Sequence, residues 1–223
     1  MNLREWFVLY REISEALHID TRMDFISSLK LSSILLNSEQ VIPVGFYGRN
    51  ISIFGPARIN CSSDQLKSDL TIIADSALKQ FLENNENRAP DIIVTDLDGS
   101  LEDIRNSALN GTTVFVHAHG DNIKKIERIV PSIKGNIIGT TQNYPLHNVS
   151  NFFGFTDGDR SAFIAMMLRP KSVRFFGFDF KRPQPKPGVD MNIKMKKLKI
   201  AEMLIGKAGN IAKEAGTSEF VFA

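Results

Sequence analysis

The sequence predicts an α/β fold in which a mostly parallel sheet carries helices on both faces. Short apolar runs such as Ile92-Ile93-Val94 lack the polar alternation of a half-exposed strand and suit the interior of a parallel sheet. These runs alternate with helix-length segments at the spacing of βαβ units, for which right-handed crossovers are assumed. Polar residues also recur where the strands run out, and open parallel sheets bind ligands beyond the carboxyl ends of their strands.

In chain order, Leu3, Trp6, Phe7, Tyr10, Ile13 and Leu17 fall at helical spacing over residues 3 to 18, with Arg and Glu between them. A second amphipathic helix is expected from about Arg22 to Leu36. Together they form a helical N-terminal cap over residues 1–45, whose aromatic stripe is a packing surface. The α/β core is expected over residues 46–180. Its first strand, Ile51-Ser52-Ile53-Phe54, runs into Gly55-Pro56-Ala57, followed by Ser62, Ser63 and Asp64 as caps. Leu70 to Ala74 is a strand, with Asp75 or Ser76 capping a helix through about Glu83. After Arg88-Ala89-Pro90 comes the central strand, then a helix over Leu101 to Leu109 and a strand over Thr113 to Val116. Asp121 or Asn122 caps the next helix, and Asn136 to Gly139 forms another strand. A helix from about Asp159 to Leu168 and a strand from Val173 to Phe178, ending in Asp179, complete the core. Residues 181–223 hold a proline-rich connector, a helix from about Asp190 to Ala215 bearing Lys194, Lys196, Lys197 and Lys199, and a final strand over Phe220-Val221-Phe222. Those lysines are a solvated face or a basic lid over phosphates.

At 223 residues with a formal net charge of +2, the chain has room for one sizeable domain and too little charge to imply nucleic acid or a membrane surface. The single cysteine, Cys61, has no internal disulfide partner, which fits a reducing cytoplasm. Arg4, Glu5, Arg11, Glu12 and Glu15 interrupt the first apolar stretch, so neither a signal peptide nor a membrane span is expected. Oligomeric state is open, with a homodimer compatible.

The candidate site gathers the strand-end residues. In an extended segment side chains two apart share a face, so Asp96 and Asp98 are expected to converge. His117, His119 and Asp121, then Thr140, Thr141 and Gln142, end the next two strands, and Asp157, Asp159 and Arg160 follow in a loop. Such a carboxylate set suits a hard cation, Mg2+, bound together with substrate phosphates, with Asp96, Asp98, Asp157 and Asp159 as ligands. Arg160 and the loop at Gly55 would take phosphate oxygens that the metal leaves uncovered. Each residue also has a plain structural reading, since Asp121 and Asp159 suit helix caps and strand-end histidines are commonly hydrogen-bonded.

Asp96-Leu97-Asp98-Gly99-Ser100 resembles the nucleophile loop of haloacid-dehalogenase phosphatases, and His117-Ala118-His119-Gly120-Asp121 resembles a binuclear metallohydrolase motif. A longer resemblance combines Ile73 to Ala77, Pro90 to Gly99, His117 to Asn122, Gly139 to Gln142 and Asn151 to Arg160 in order. These motifs resemble the archaeal 6-hydroxymethyl-7,8-dihydropterin pyrophosphokinases, related in fold to thiamin pyrophosphokinases. The resemblance implies a Rossmann-like domain that transfers a diphosphate from ATP to the hydroxymethyl group of a dihydropterin, with magnesium, on the way to a folate or methanopterin. It also implies that Asp75 lies on the nucleotide side. For that reaction His117, His119 or Asp121 would orient or deprotonate the hydroxyl, Phe155 with Phe152 and Phe153 would wall the pterin, and Thr140, Thr141 and Gln142 would meet its polar edge. A non-catalytic nucleotide-binding module is the alternative from another class.

Overall fold

The computed structural model of the protein describes residues 1–58, 68–85, 88–183 and 190–223. Among the described residues eight strands form one sheet, β1 (Asn50–Phe54), β2 (Leu70–Ala74), β3 (Ile92–Thr95), β4 (Thr113–Ala118), β5 (Ile137–Thr141), β6 (Val149–Ser150), β7 (Ser172–Phe176) and β8 (Glu219–Phe222). Every neighbouring pair is parallel, in the order β6-β5-β4-β3-β2-β1-β7-β8. The carboxyl ends of all strands therefore lie along one edge.

Seven helices cover the sheet: α1 (Leu3–Leu17), α2 (Thr21–Ile34), α3 (Leu78–Asn84), α4 (Leu101–Leu109), α5 (Ile123–Ile129), α6 (Asp157–Met167) and α7 (Met191–Glu214). Because successive strand side chains point to opposite faces, the apolar runs feed two cores. Ile51, Ile53, Ile72, Ile92, Val94 and Phe115 pack with Trp6 and Tyr10 of α1, Phe163 and Ile164 of α6, and Leu204 and Ile205 of α7. Phe54, Ile73, Ile93, Val114 and Val116 pack with Leu31 of α2, Phe81 of α3, Ile104 of α4 and Ile126 of α5. From β1 to β6 the chain steps outward; α6 then crosses back against β3, β2 and β1, and β7 joins the far side of β1. That return places the head of α6 above the ends of the central strands.

Several local details depart from the expected ones. Helix α2 is not amphipathic in the ordinary sense: it buries Asp24, Ser27, Ser28 and Leu31 and exposes Met23, Ile26 and Leu29. Its buried side meets polar strand ends, where hydrogen bonds replace apolar packing. Asp75 caps no helix; a 3-10 turn over Asp75–Ala77 precedes α3 while the Asp75 side chain turns elsewhere. β7 stops at Phe176, and Asp179 instead accepts hydrogen bonds from the Lys181 and Arg182 amides in the turn beyond. β6 pairs with β5 through only two residues and had no apolar run to announce it. Cys61, the expected caps at Ser62, Ser63 and Asp64, and most of the proline connector lie outside the described residues.

Candidate active site

The site begins where β3 ends. Thr95 is the last strand residue, and Leu97 has φ 67°, a left-handed conformation uncommon for a branched side chain. The Thr95 hydroxyl donates to Asp75 Oδ2 at 2.8 Å and accepts from the Leu97 amide at 2.8 Å, which holds the turn. Because the backbone leaves the extended region at Leu97, Asp96 and Asp98 do not share a face as expected. Asp98 turns to Lys125 of α5, with which it forms an ion pair. Asp96 joins Asp75, from the end of β2, and Asp157, from the head of α6.

Oxygen atoms of Asp75, Asp96 and Asp157 all lie within 4.8 Å of one another. Asp75 is buried, and its Oδ2 also accepts from the amides of Asp98 and Gly99 at 3.1 and 2.9 Å. Its Oδ1 is buried without a hydrogen-bond partner among the described residues. A Cβ at Gly99 would overlap that same oxygen, so glycine there is what lets the carboxylate lie under the loop. Burial, opposed by the Thr95 hydrogen bond and reinforced by the charge of Asp96, raises the Asp75 carboxyl from an ordinary 3.8 to about 6. Burial and the neighbouring Asp96 charge also push Asp157 well above the usual carboxylate range, with Arg160 opposing. An orphaned buried oxygen inside a set of three crowded carboxylates fits a hard divalent cation with oxygen ligands.

At the head of α6, Thr156 is the N-cap and Asp159 the third residue of a capping box. The Asp159 carboxylate accepts from the amides of Phe155 and Thr156 and from the Thr156 hydroxyl, which consumes both oxygens. Asp159, expected among the metal ligands, is thereby placed in the helix start, and the helix begins at Asp157, two residues earlier than expected. Asp159→Ala, which leaves two part-buried amides unpaired, is expected to destabilise the protein by about 1–3 kcal/mol, read by denaturant unfolding, with Asn recovering part of the loss.

Arg160, expected to take phosphate oxygens, is fully buried and turned to protein partners. Its NH1 pairs with Asp157 Oδ1 at 3.0 Å; its NH2 donates to His117 Nε2 at 3.0 Å and to the Gly154 and Phe155 carbonyls at 3.3 and 3.2 Å. Gly154, at φ 81°, is where the loop touches this residue: a Cβ there would overlap the Arg160 backbone. A guanidinium has no acceptor, so His117 Nε2 offers its lone pair and the ring proton sits on Nδ1, donated to Thr140 Oγ1 at 3.1 Å. Burial, with the Arg160 charge second, keeps His117 neutral far below its usual range. His117, expected near the substrate hydroxyl, is buried with its Nε2 turned to Arg160.

His119 is the more exposed imidazole, with Nε2 3.5 Å from Asp96 Oδ2. The Asp121 carboxylate is 97 % exposed and reaches only His119, at 4.0 Å, because the turn after β4 points it to solvent. Asn122, expected as no more than a cap, joins two strand ends: its amide donates to the carbonyls of Asp96 and His117.

The residues expected to face the pterin edge are likewise buried. Thr141 Oγ1 accepts from Ser28, Gln142 Nε2 donates to Asp24 Oδ2 at 2.6 Å, and the Gln142 carbonyl accepts from Trp6 Nε1 at 2.8 Å. Tyr10 donates to the same Asp24, and burial followed by the Asp24 charge raises its phenol far above the usual range. Thr140, Thr141 and Gln142 thus tie α1 and α2 to the ends of β4 and β5. Phe152 packs edge-on against Phe115, and Phe153 lies between Trp6 and Phe163, so both are partly buried against the core. Phe155 is half-buried beside the acidic trio, with Lys197 of α7 5.9 Å from its ring centre. At the other strand end, the Gly55 and Ala57 amides donate to the Phe176 and Gly177 carbonyls, so neither is available to cradle a phosphate.

The trio was partly readable. Asp75 ends an apolar strand just as Asp96 does, a signal that would have placed it with the metal ligands. Nothing local announced Lys125, whose partner Asp98 lies 27 residues away, or the bond from Asn122 to the Asp96 carbonyl 26 residues away.

Residues 59–184 match the family model of MptE-like 6-hydroxymethylpterin diphosphokinases. Among proteins named 6-hydroxymethyl-7,8-dihydropterin pyrophosphokinase, that of Methanocaldococcus jannaschii is 40% identical, over 92% of this chain and 95% of its own length. The Methanothermobacter thermautotrophicus protein is 37% identical over 81% of this chain and 79% of its own. The Pyrococcus furiosus protein is 34% identical over 92% and 93%. A motif series that runs in order through an all-parallel sheet, an acidic trio at its carboxyl edge, and relatives matched over 79 to 95% of their length agree, and the chain belongs to the MptE-like 6-hydroxymethylpterin diphosphokinase family.

Proposed function

We propose that this chain is a 6-hydroxymethyl-7,8-dihydropterin pyrophosphokinase, transferring the terminal diphosphate of ATP to the substrate hydroxymethyl oxygen and releasing AMP. The observation that carries the reading is the trio Asp75, Asp96 and Asp157 with its orphaned oxygen, set in a chain whose relatives bear that name. The hydroxyl oxygen bonds to the middle phosphorus, the bond from that phosphorus to the bridging oxygen of AMP breaks, and the hydroxyl proton leaves. Such transfers need alignment and charge neutralisation more than covalent help from the protein. A magnesium ion held by Asp75, Asp96 and Asp157 would neutralise phosphate oxygens. Around it, His119 turns its Nε2 toward Asp96. Lys125 and Lys197 add positive charge at the rim, from α5 and α7. Asp98, though set back from the trio, orders the loop through its amide on Asp75. Use of ATP and a reduced pterin is what supports a cytoplasmic location. No helix among the described residues is long and apolar enough to cross a membrane.

The deciding experiment incubates the protein with ATP, Mg2+ and the dihydropterin. AMP and pterin diphosphate in equal amounts are expected. Release of inorganic phosphate with no AMP would instead favour the phosphatase reading of Asp96, which nothing in the family or the fold supports, and no turnover at all would favour a nucleotide-binding module.

A further inference from the structure

After Trp6, Arg160 is the largest side chain that the fold buries completely. A buried guanidinium is tolerated only where partners surround it, and here the surroundings are specific. The fold does not need it to begin α6, since Thr156 and Asp159 already form a capping box. Its Nε has no partner, so the hydrogen bonds are concentrated on the two terminal nitrogens. One of these nitrogens holds Asp157, and the other takes the lone pair of His117. The imidazole is itself held from behind: Thr140 Oγ1 spends its own proton on the Val116 carbonyl at 3.2 Å and can only accept from Nδ1–H. Along Val116–Thr140–His117–Arg160–Asp157 donation therefore runs outward from Arg160 both ways, to Asp157 on one side and through His117 and Thr140 into the β4 backbone on the other.

We propose that His117 is a positioning residue for the cation site: as its Nδ1–H tautomer it orients Arg160, and through Arg160 it holds the Asp157 carboxylate beside Asp75 and Asp96. This rests on the cation reading of that trio. The role differs from the general-base role that a histidine near a reacting hydroxyl suggests, because Nε2 is occupied and the ring is buried. It also differs from a phosphate clamp for Arg160, whose fork faces inward.

Two measurements on the full-length protein, neither using turnover, test it. Long-range proton–nitrogen NMR of the imidazoles is expected to find His117 protonated on Nδ1 and bare on Nε2. Titration with Mn2+ alone, followed by electron paramagnetic resonance, then compares the parent with His117→Gln, His117→Leu and Thr140→Val. Gln places a carbonyl oxygen near the Nε2 position and is expected to stay within about threefold of the parent affinity. Leu removes the acceptor and is expected to weaken Mn2+ binding by about 10–100-fold, the range seen when an outer partner of a metal ligand is lost. Thr140→Val removes the hydroxyl that accepts from Nδ1–H while nearly keeping shape and leaving the Gln142 side chain beside the ring, and is expected to weaken binding at least about threefold, in the same direction as that outer-partner effect. A purely structural His117 would lower the melting temperature of the Leu variant without changing Mn2+ affinity, and that result overturns the proposal, as does an Nε2–H tautomer or a Gln variant as weak as Leu. Should the Leu variant not fold, Thr140→Val with parental affinity overturns it equally. A parent that binds no Mn2+ removes the cation reading itself, and the inference with it.

Discussion

Asp96→Asn, Asp75→Asn and Asp157→Asn are each expected to lower AMP release by about 10²–10³-fold, whereas Asp98→Asn is expected to cost no more than about tenfold. The first three substitutions keep shape and remove a charge from the set whose oxygens lie within 4.8 Å of one another. Loss of a few kcal/mol of charge stabilisation at about 1.4 kcal/mol per tenfold gives the quoted range. Asp98 is a different case: its carboxylate is paired with Lys125 at the surface, and what it gives the site, its backbone amide on Asp75 Oδ2, survives the substitution. Steady-state rates of the four variants at saturating Mg2+, with melting temperatures to confirm folding, check this. Equal losses at Asp96 and Asp98 would restore the pair that the strand-end motif suggested and discard the trio. Gly99→Ala offers an independent check, since its Cβ displaces Asp75 Oδ1 without touching any charge; it should lose activity like Asp75→Asn.

The metal-free protein is expected to carry a pH-dependent penalty that Asp75→Asn removes. Burial and the Asp96 charge raise the folded Asp75 carboxyl from 3.8 to about 6. Between these values the folded state holds a proton that the unfolded chain has released, so each rise in pH favours unfolding. Stability from this group is complete below about pH 4 and lost as pH rises through about 6, a total of about 3 kcal/mol. His117, whose folded value is depressed by burial, slopes the other way below its ordinary 6.5. The measurement is therefore the difference in unfolding free energy between parent and Asp75→Asn across that window, which should move against the parent as pH rises. Added Mg2+ is expected to raise the parent melting temperature more at about pH 7.5 than at about pH 5, because carboxylates must shed protons to bind it. A Mg2+ effect that is independent of pH, or equally large in Asp75→Asn, would argue against the trio as the binding site.

The sequence by itself determined the fold class, because that rests on local patterns: uninterrupted apolar runs such as Ile92-Ile93-Val94 can be satisfied only between two helical layers, and strand–helix alternation imposes parallel neighbours. It also located the edge of the sheet that holds the site and, through ordered motifs, the family. Position near strand ends puts Asp96, Asp157, His117 and Arg160 in one neighbourhood, and Asp96 lies near Asp157, which Arg160 links to His117.

Which of those residues face one another was decided only by the tertiary structure. Asp96 and Asp98 part because Leu97 adopts a left-handed backbone, a choice stabilised by Thr95 and Asp75 from outside the segment. Asp159 and Arg160 are adjacent on α6, yet one serves the helix start and the other a buried chain to β4, because α6 docks on the sheet with that flank inward. Gln142 and Thr141 look like free strand-end polar groups until α2, with its polar side turned inward, covers them. Hydrogen-bond partners separated by about a hundred residues leave no periodicity or spacing in the chain, so the role of a polar side chain stays open until the packed elements choose between solvent, ligand and one another.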